Sequence, residues 1–208
     1  MDGIFRAVVV LTAALSLWVP VASAGETFAG GDAQQLGYQA LYAQLERTDA
    51  VQEGAKVAKH VLFVFFDANC LYCHLTWKAL QPYEKVGLQV RWVPVAYQQP
   101  SSTGRAAAIM QAPDRVAALR ENEAGYHPGQ FTGGIAPLDR VPGTLMAQLR
   151  ANTQLMQEFG APGTPALVWK DRVGQVRFKL GVPRLSELPR ITQLSAQHID
   201  DPELARFR

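Results

Sequence analysis

Six consecutive apolar side chains, Val61-Leu62-Phe63-Val64-Phe65-Phe66, run without alternation into Asp67-Ala68-Asn69 and then Cys70-Leu71-Tyr72-Cys73-His74. An unbroken apolar run of this length, bounded by a turn, describes a strand covered on both faces. Asn69 is a good N-cap, which predicts a helix over Cys70–Gln81 that stops before Pro82. Leu88 to Ala96 reads as a second strand. Strand, helix and strand within residues 60–96 make a βαβ unit, with parallel pairing and a right-handed crossover. The fold class is therefore α/β.

The flanking sequence adds further elements to this unit. After a Gly-rich start at 25–31, Ala33 to about Lys56 has helical spacing, with Leu36, Leu41 and Leu45 among polar residues. Ser101 to about Tyr126 is Ala-rich and helical, interrupted near Pro113. A Gly- and Pro-dense loop covers 125–143, and a helix covers Thr144 to Phe159. The turn Gly160-Ala161-Pro162-Gly163-Thr164-Pro165 leads into Ala166–Trp169, which pairs with Val176–Leu180 as a hairpin. Ser186 caps a last helix to about Ala196, and 197–208 read as a polar tail. No internal repeat is visible.

Composition matters chiefly for compartment and partners. The 208 residues carry 20 Lys and Arg against 18 Asp and Glu. That balance is too even for a nucleic-acid footprint. Arg6 precedes an apolar run, Ala7 to Val19, and then Ala22-Ser23-Ala24, a small-x-small cleavage pattern. The run falls short of the ~20 residues that span a bilayer, so residues 1–24 read as a cleaved secretory signal peptide, with an uncleaved anchor as the alternative. Export places the chain where disulfides form. Yet there are only two cysteines, Cys70 and Cys73. A bridge closing two residues removes little loop entropy and is a poor staple. The pair points to chemistry.

At the first turn of a helix, unpaired amides and the positive end of the dipole favour an anion. Cys70 there should be a thiol of lowered pKa and the nucleophile, with Cys73 placed to resolve a mixed disulfide. Three rival readings use the same residues. Cys70-Leu71-Tyr72-Cys73-His74 matches the c-type haem attachment motif C-x-x-C-H, and Met110, Met146 or Met156 could supply a second axial ligand. A zinc site would draw on the two thiols and scattered histidines. A pair that merely locks a turn is the third.

The block from Phe65 to His74 resembles the active-site region of the DsbC/DsbG family of bacterial periplasmic disulfide isomerases. Asp67, three residues before the first cysteine, and Tyr72, before the second, match family positions, as does His74. Gly163-Thr164-Pro165 resembles the family's loop in which a threonine–proline bond, there cis, faces the cysteines across the substrate groove. Residues 88–96 and the helical stretch from Ser101 look closer to the DsbG branch. Leu71 departs from the proline that DsbG-like proteins carry.

The resemblance implies a thioredoxin-like fold with inserted helices over residues 57–196, preceded by a short helical linker at 25–56. It implies thiol:disulfide interchange, as isomerase or reductase, through Cys70 and Cys73. Asp67, Asn69, Leu71, Tyr72, His74, Thr164 and Pro165 would border the groove or tune the thiols. It implies no cofactor or metal, exported proteins as substrates, and a DsbD-type membrane electron carrier as reductant in the periplasm. Residues 25–56 are too few for the family's dimerisation domain, so a monomer or weak dimer is expected. A DsbA-like oxidase, a c-type haem carrier and a thiol-independent chaperone-like binder remain as alternatives.

Overall fold

A computed structural model describes residues 32–208; the expected signal peptide at 1–24 lies outside them. The first helix, α1, spans Asp32–Leu45, followed by strands β1 (Val51–Gly54) and β2 (His60–Asp67). Helix α2 (Leu71–Glu84) leads to β3 (Leu88–Val95), and then come α3 (Ser102–Gln111), α4 (Arg115–Ala124) and α5 (Gly143–Glu158). Strands β4 (Ala166–Lys170) and β5 (Val176–Leu180) are followed by a 3-10 turn at Leu185–Glu187, helix α6 (Leu188–Thr192) and a 3-10 segment at Pro202–Phe207.

The five strands form one sheet in the order β1-β3-β2-β4-β5. Only the β2–β3 pair is parallel among neighbours, in register His60↔Leu88 to Asp67↔Val95; the other three pairings are antiparallel. The parallel pair is the βαβ unit expected from the sequence. Because β2 is central, its alternate side chains enter two separate cores. Leu62, Val64 and Phe66 join a cluster with α2, α3, α4 and α6, whereas Phe63 and Phe65 join one with α1 and α5. This explains why no polar residue alternates along the run.

Several expectations shift. The helix predicted to about Lys56 stops at Leu45, and Val51–Gly54 pairs with β3 as an edge strand. The boundary placed between 56 and 57 therefore cuts through the sheet. Val51 and Glu53 point inward while Gln52 and Gly54 face out, a period too short to stand out in a sequence. Helix α2 runs through Pro82 to Glu84. Proline lacks an N–H, but so close to the helix end only one bond is lost. The last helix is shorter than read, and Gln193 ends it in the left-handed conformation, with φ 58°. Residues 197–208 are not a free tail: Leu204 is fully buried against the cluster that holds α2.

Candidate functional site

The C-terminal end of β2 delivers Cys70 to the mouth of α2. Cys70 rather than Asn69 is the N-cap: its backbone is extended, at φ −85° and ψ 115°, and its Sγ accepts from the Cys73 amide at 3.3 Å. A sulfur thus takes the place of the usual cap oxygen at a helix N-terminus, where a negative charge is favoured. Both cysteines are unbridged and buried, at 2% and 1% exposure.

Their environments pull the two thiols apart. Hydrogen bonding with Cys73 is the largest influence on Cys70 and, with help from Thr164 and Gln98, outweighs burial to bring its pKa down to about 7. Burial is the largest influence on Cys73, and with the adjacent Cys70 it raises that thiol well above its ordinary value. Opposed shifts within one pair separate an ionised from a neutral sulfur.

The Thr164–Pro165 bond is cis, as the resemblance implies, and the Thr164 carbonyl lies 3.5 Å from Cys70 Sγ. On the other side, Thr164 Oγ1 accepts from Gln98 Nε2 at 2.8 Å and from the Tyr97 hydroxyl at 3.4 Å. Tyr97 and Gln98 follow β3, so the loop before β4 is tied to the loop after β3 directly beside the sulfur.

Asp67 is fully buried and accepts four hydrogen bonds. Its Oδ1 takes the Asn69 amide at 2.9 Å and the Ser102 hydroxyl at 2.7 Å. Its Oδ2 takes the amides of Tyr97 at 2.8 Å and Gln98 at 3.0 Å. Asn69 points away from the thiols: its Nδ2 donates to Ser101 and Ser102, and its Oδ1 accepts from the Gly133 amide at 3.1 Å. Leu71 is half-buried against the core, and Tyr72 is exposed with the Arg206 guanidinium 5.5 Å from its ring centre.

His74 is buried and stacks on Tyr126 at 4.9 Å and on Trp77 at 6.3 Å. Glu123 lies 3.7 Å from its Nδ1 and Glu203 3.6 Å from its Nε2. Burial raises the Glu123 carboxyl. The Tyr126 hydroxyl donates to the Asn69 carbonyl at 3.1 Å.

The structure therefore brings Cys70, Cys73 and Thr164 together, stations Asp67 as their scaffold, and sets Asn69 and His74 behind them. Sequence reasoning missed Ser102, Tyr97, Gln98, Tyr126 and Glu123. Ser102 stood at the start of the helical stretch read from Ser101, but nothing local tied it to Asp67. Among the described residues, no three His, Cys, Asp or Glu side chains are grouped to hold a metal ion. No helix among them is long and apolar enough to cross a membrane.

A buried cysteine pair at a strand-to-helix junction, opposite a cis-proline loop, defines a thioredoxin-like redox centre in form. The model of the thioredoxin-like domain family matches residues 48–187, and the chain belongs to that family. Within it, the chain is similar to the thiol:disulfide interchange protein DsbG of Pseudomonas aeruginosa, with 27% identity over 73% of this chain and 58% of the relative. It is also similar to DsbC of Dickeya dadantii, with 34% identity over 61% of this chain and 51% of that protein. The DsbC/DsbG relationship read from the cysteine block is thus supported along most of the sequence. The chain spans little more than half the length of these curated relatives. A periplasmic thioredoxin-like protein from Salmonella enterica serovar Typhimurium shares the fold, with TM-score 0.58 at 24% identity over 74% of this chain and 94% of that one.

Proposed function

We propose that this protein is an exported thiol:disulfide interchange enzyme acting on protein disulfides, with Cys70 attacking and Cys73 resolving. The observation that carries the reading is geometric: Cys70 Sγ caps α2, 3.3 Å from the Cys73 amide and 3.5 Å from the Thr164 carbonyl of the cis-proline loop, and the opposed directions of the two thiol pKa values agree with it. The Cys70 thiolate attacks one sulfur of a client disulfide, forming a mixed disulfide and releasing the other client sulfur as a thiolate. Isomerisation follows when that thiolate attacks a second client disulfide, the client thiolate released there attacks the client sulfur of the mixed disulfide, and Cys70 leaves as a thiolate. Reduction follows when Cys73 loses its proton and attacks Cys70 Sγ. The client then leaves as a dithiol and the Cys70–Cys73 disulfide forms, a two-electron exchange that a DsbD-type carrier reverses.

Asp67, Asn69 and Ser102 hold the junction in place, and the Thr164 backbone is available to pair with an extended client in the manner of strand addition. The similarity to DsbG and DsbC and the fold shared with a periplasmic thioredoxin-like protein support the periplasm as the compartment and unfolded exported proteins as clients.

The test is alkylation of the reduced protein across pH, followed by its redox potential in glutathione buffers. Cys70 should label first, with an apparent pKa near 7. Labelling of Cys73 first would overturn the assignment. A potential as oxidising as about −120 mV would favour net oxidation over isomerase or reductase work.

A further inference from the structure

Beside the redox centre lies a cavity of about 290 Å³, walled by Ala96, Tyr97, Met146 and Leu149 and edged by Thr103 and Arg150. It sits where the loop after β3 meets α3 and α5. Ligand cavities typically begin at about 300 Å³, so the space fits one bulky side chain rather than a cofactor. Two of its walls are apolar and open to solvent, Tyr97 at 46% and Met146 at 40% exposure. Methionine adapts its shape to varied apolar partners. Tyr97 links the cavity to the sulfur: its hydroxyl is 3.4 Å from Thr164 Oγ1, and the Thr164 carbonyl is 3.5 Å from Cys70 Sγ.

We propose that this cavity is a client subsite that receives a large aliphatic or aromatic side chain close in sequence to the reacting client cysteine. The inference rests on the disulfide-exchange reading above. A tyrosine side chain separates cavity from sulfur, and an extended strand advances about 3.3 Å per residue. The seated side chain is therefore two to four positions from the client cysteine. Arg150 is the one charged residue among those lining the cavity, and no carboxylate pairs with it among the described residues. An acidic residue beside the apolar one meets that guanidinium, so the preferred client segment is apolar and acidic rather than basic.

The probes are nine-residue peptides with a central cysteine carried as a mixed disulfide with thionitrobenzoate. In the Cys73→Ser protein, the Cys70 thiolate attacks the peptide sulfur, the Cys70–peptide disulfide forms, and thionitrobenzoate leaves as a coloured thiolate. Leu replaces Ser at each of positions two to four on either side. At one of these positions Leu should raise the rate about fivefold or more, a fraction of what full burial of the side chain would give. Met146→Glu should reduce that ratio to below about twofold, because a carboxylate in the wall penalises apolar contact. With Leu seated, replacing its neighbour by Glu should speed the reaction relative to Lys at low salt, and Arg150→Glu should invert that order.

Equal rates across the panel, or a Leu preference that survives Met146→Glu, would overturn the subsite. Thionitrobenzoate disulfide without any peptide separates the two levels. Failure of Cys70 to react with it sinks the exchange reading, whereas reaction with it and indifference to the peptides sinks the subsite alone.

Discussion

Asp67 shows how one side chain can be placed from sequence while its partners stay hidden. Its position before Cys70 marked it as a candidate for bordering the groove or tuning the thiols. The structure saturates its carboxylate with the Asn69, Tyr97 and Gln98 amides and the Ser102 hydroxyl. A buried carboxylate holding four donors is anchored by charge-assisted bonds. Three of these partners, Tyr97, Gln98 and Ser102, lie some thirty residues away, which no local pattern reveals. Gly133 was equally silent in the sequence, as one glycine in a loop dense with them. Its amide donates to Asn69 Oδ1, and a Cβ there would stand 1.9 Å from Asn122 Oδ1 and 2.4 Å from the Ala68 carbonyl. Gly133→Ala must therefore push the loop off the floor of the site and loosen the Asn122–Ala68 bond. Urea denaturation should show a loss of about 2–4 kcal/mol, combining overpacking with a broken buried hydrogen bond. Gly129→Ala, with nothing within 4 Å of the added carbon, should stay within about 0.5 kcal/mol of wild type. Equal effects at the two glycines would show that the loop does not close on Asn69.

Elements with strong periodicity were readable, and those defined by docking were not. The apolar run of β2, the hairpin of β4 and β5, and α3 to α5 lie within a few residues of where spacing and punctuation put them. The C-terminal segment was read as a polar tail because seven of its twelve residues are polar or charged. Its order comes from what it meets on α2. Lys78 Nζ lies 2.7 Å from Asp201 and pairs with Glu203 as well, and Arg206 covers Tyr72. Leu204 is fully buried and anchors the segment. Ile199 and Phe207 pack against the same cluster, but spacings of five and three residues do not make the repeat that would announce a helix. Leu204→Ala should destabilise the protein by about 1–3 kcal/mol, at the low end for core leucines because a terminal segment can detach instead of leaving a cavity. Hydrogen exchange should then show amides 203–208 opening while those of β2 keep their protection. Unchanged protection at 203–208 would mean that the polar contacts to Lys78 suffice to hold it.

Across the fold, the two thiols make stability depend on pH in a way a disulfide cannot. Cys70 ionises at about 7 in the folded protein and about 8.5 in an unfolded chain. A depressed pKa contributes stability above the unfolded value, and that contribution is lost as pH falls through 7. By pH 8.5 the difference amounts to about 1.5–2 kcal/mol for the reduced protein. Above that, Cys73 acts in the opposite sense: its raised thiol stays neutral when folded but ionises when unfolded, which flattens the gain. Burial and the neighbouring Glu53 raise Glu84 to about 8, so its contribution declines as pH rises from the ordinary carboxylate range to that value. That decline is common to wild type and Cys70→Ser, so it cancels when the two are compared. The stability of reduced wild type relative to Cys70→Ser should therefore grow by about 1.5–2 kcal/mol between pH 6 and pH 8.5, measured by urea unfolding under reducing conditions. A difference that stays flat would mean that Cys70 is an ordinary thiol, and the opposed ionisation that supports its role as nucleophile would fall with it. Where the difference does grow, the dithiol gains on the disulfide over the same range, and the protein's reduction potential falls less steeply with rising pH than that of an isolated dithiol of ordinary pKa.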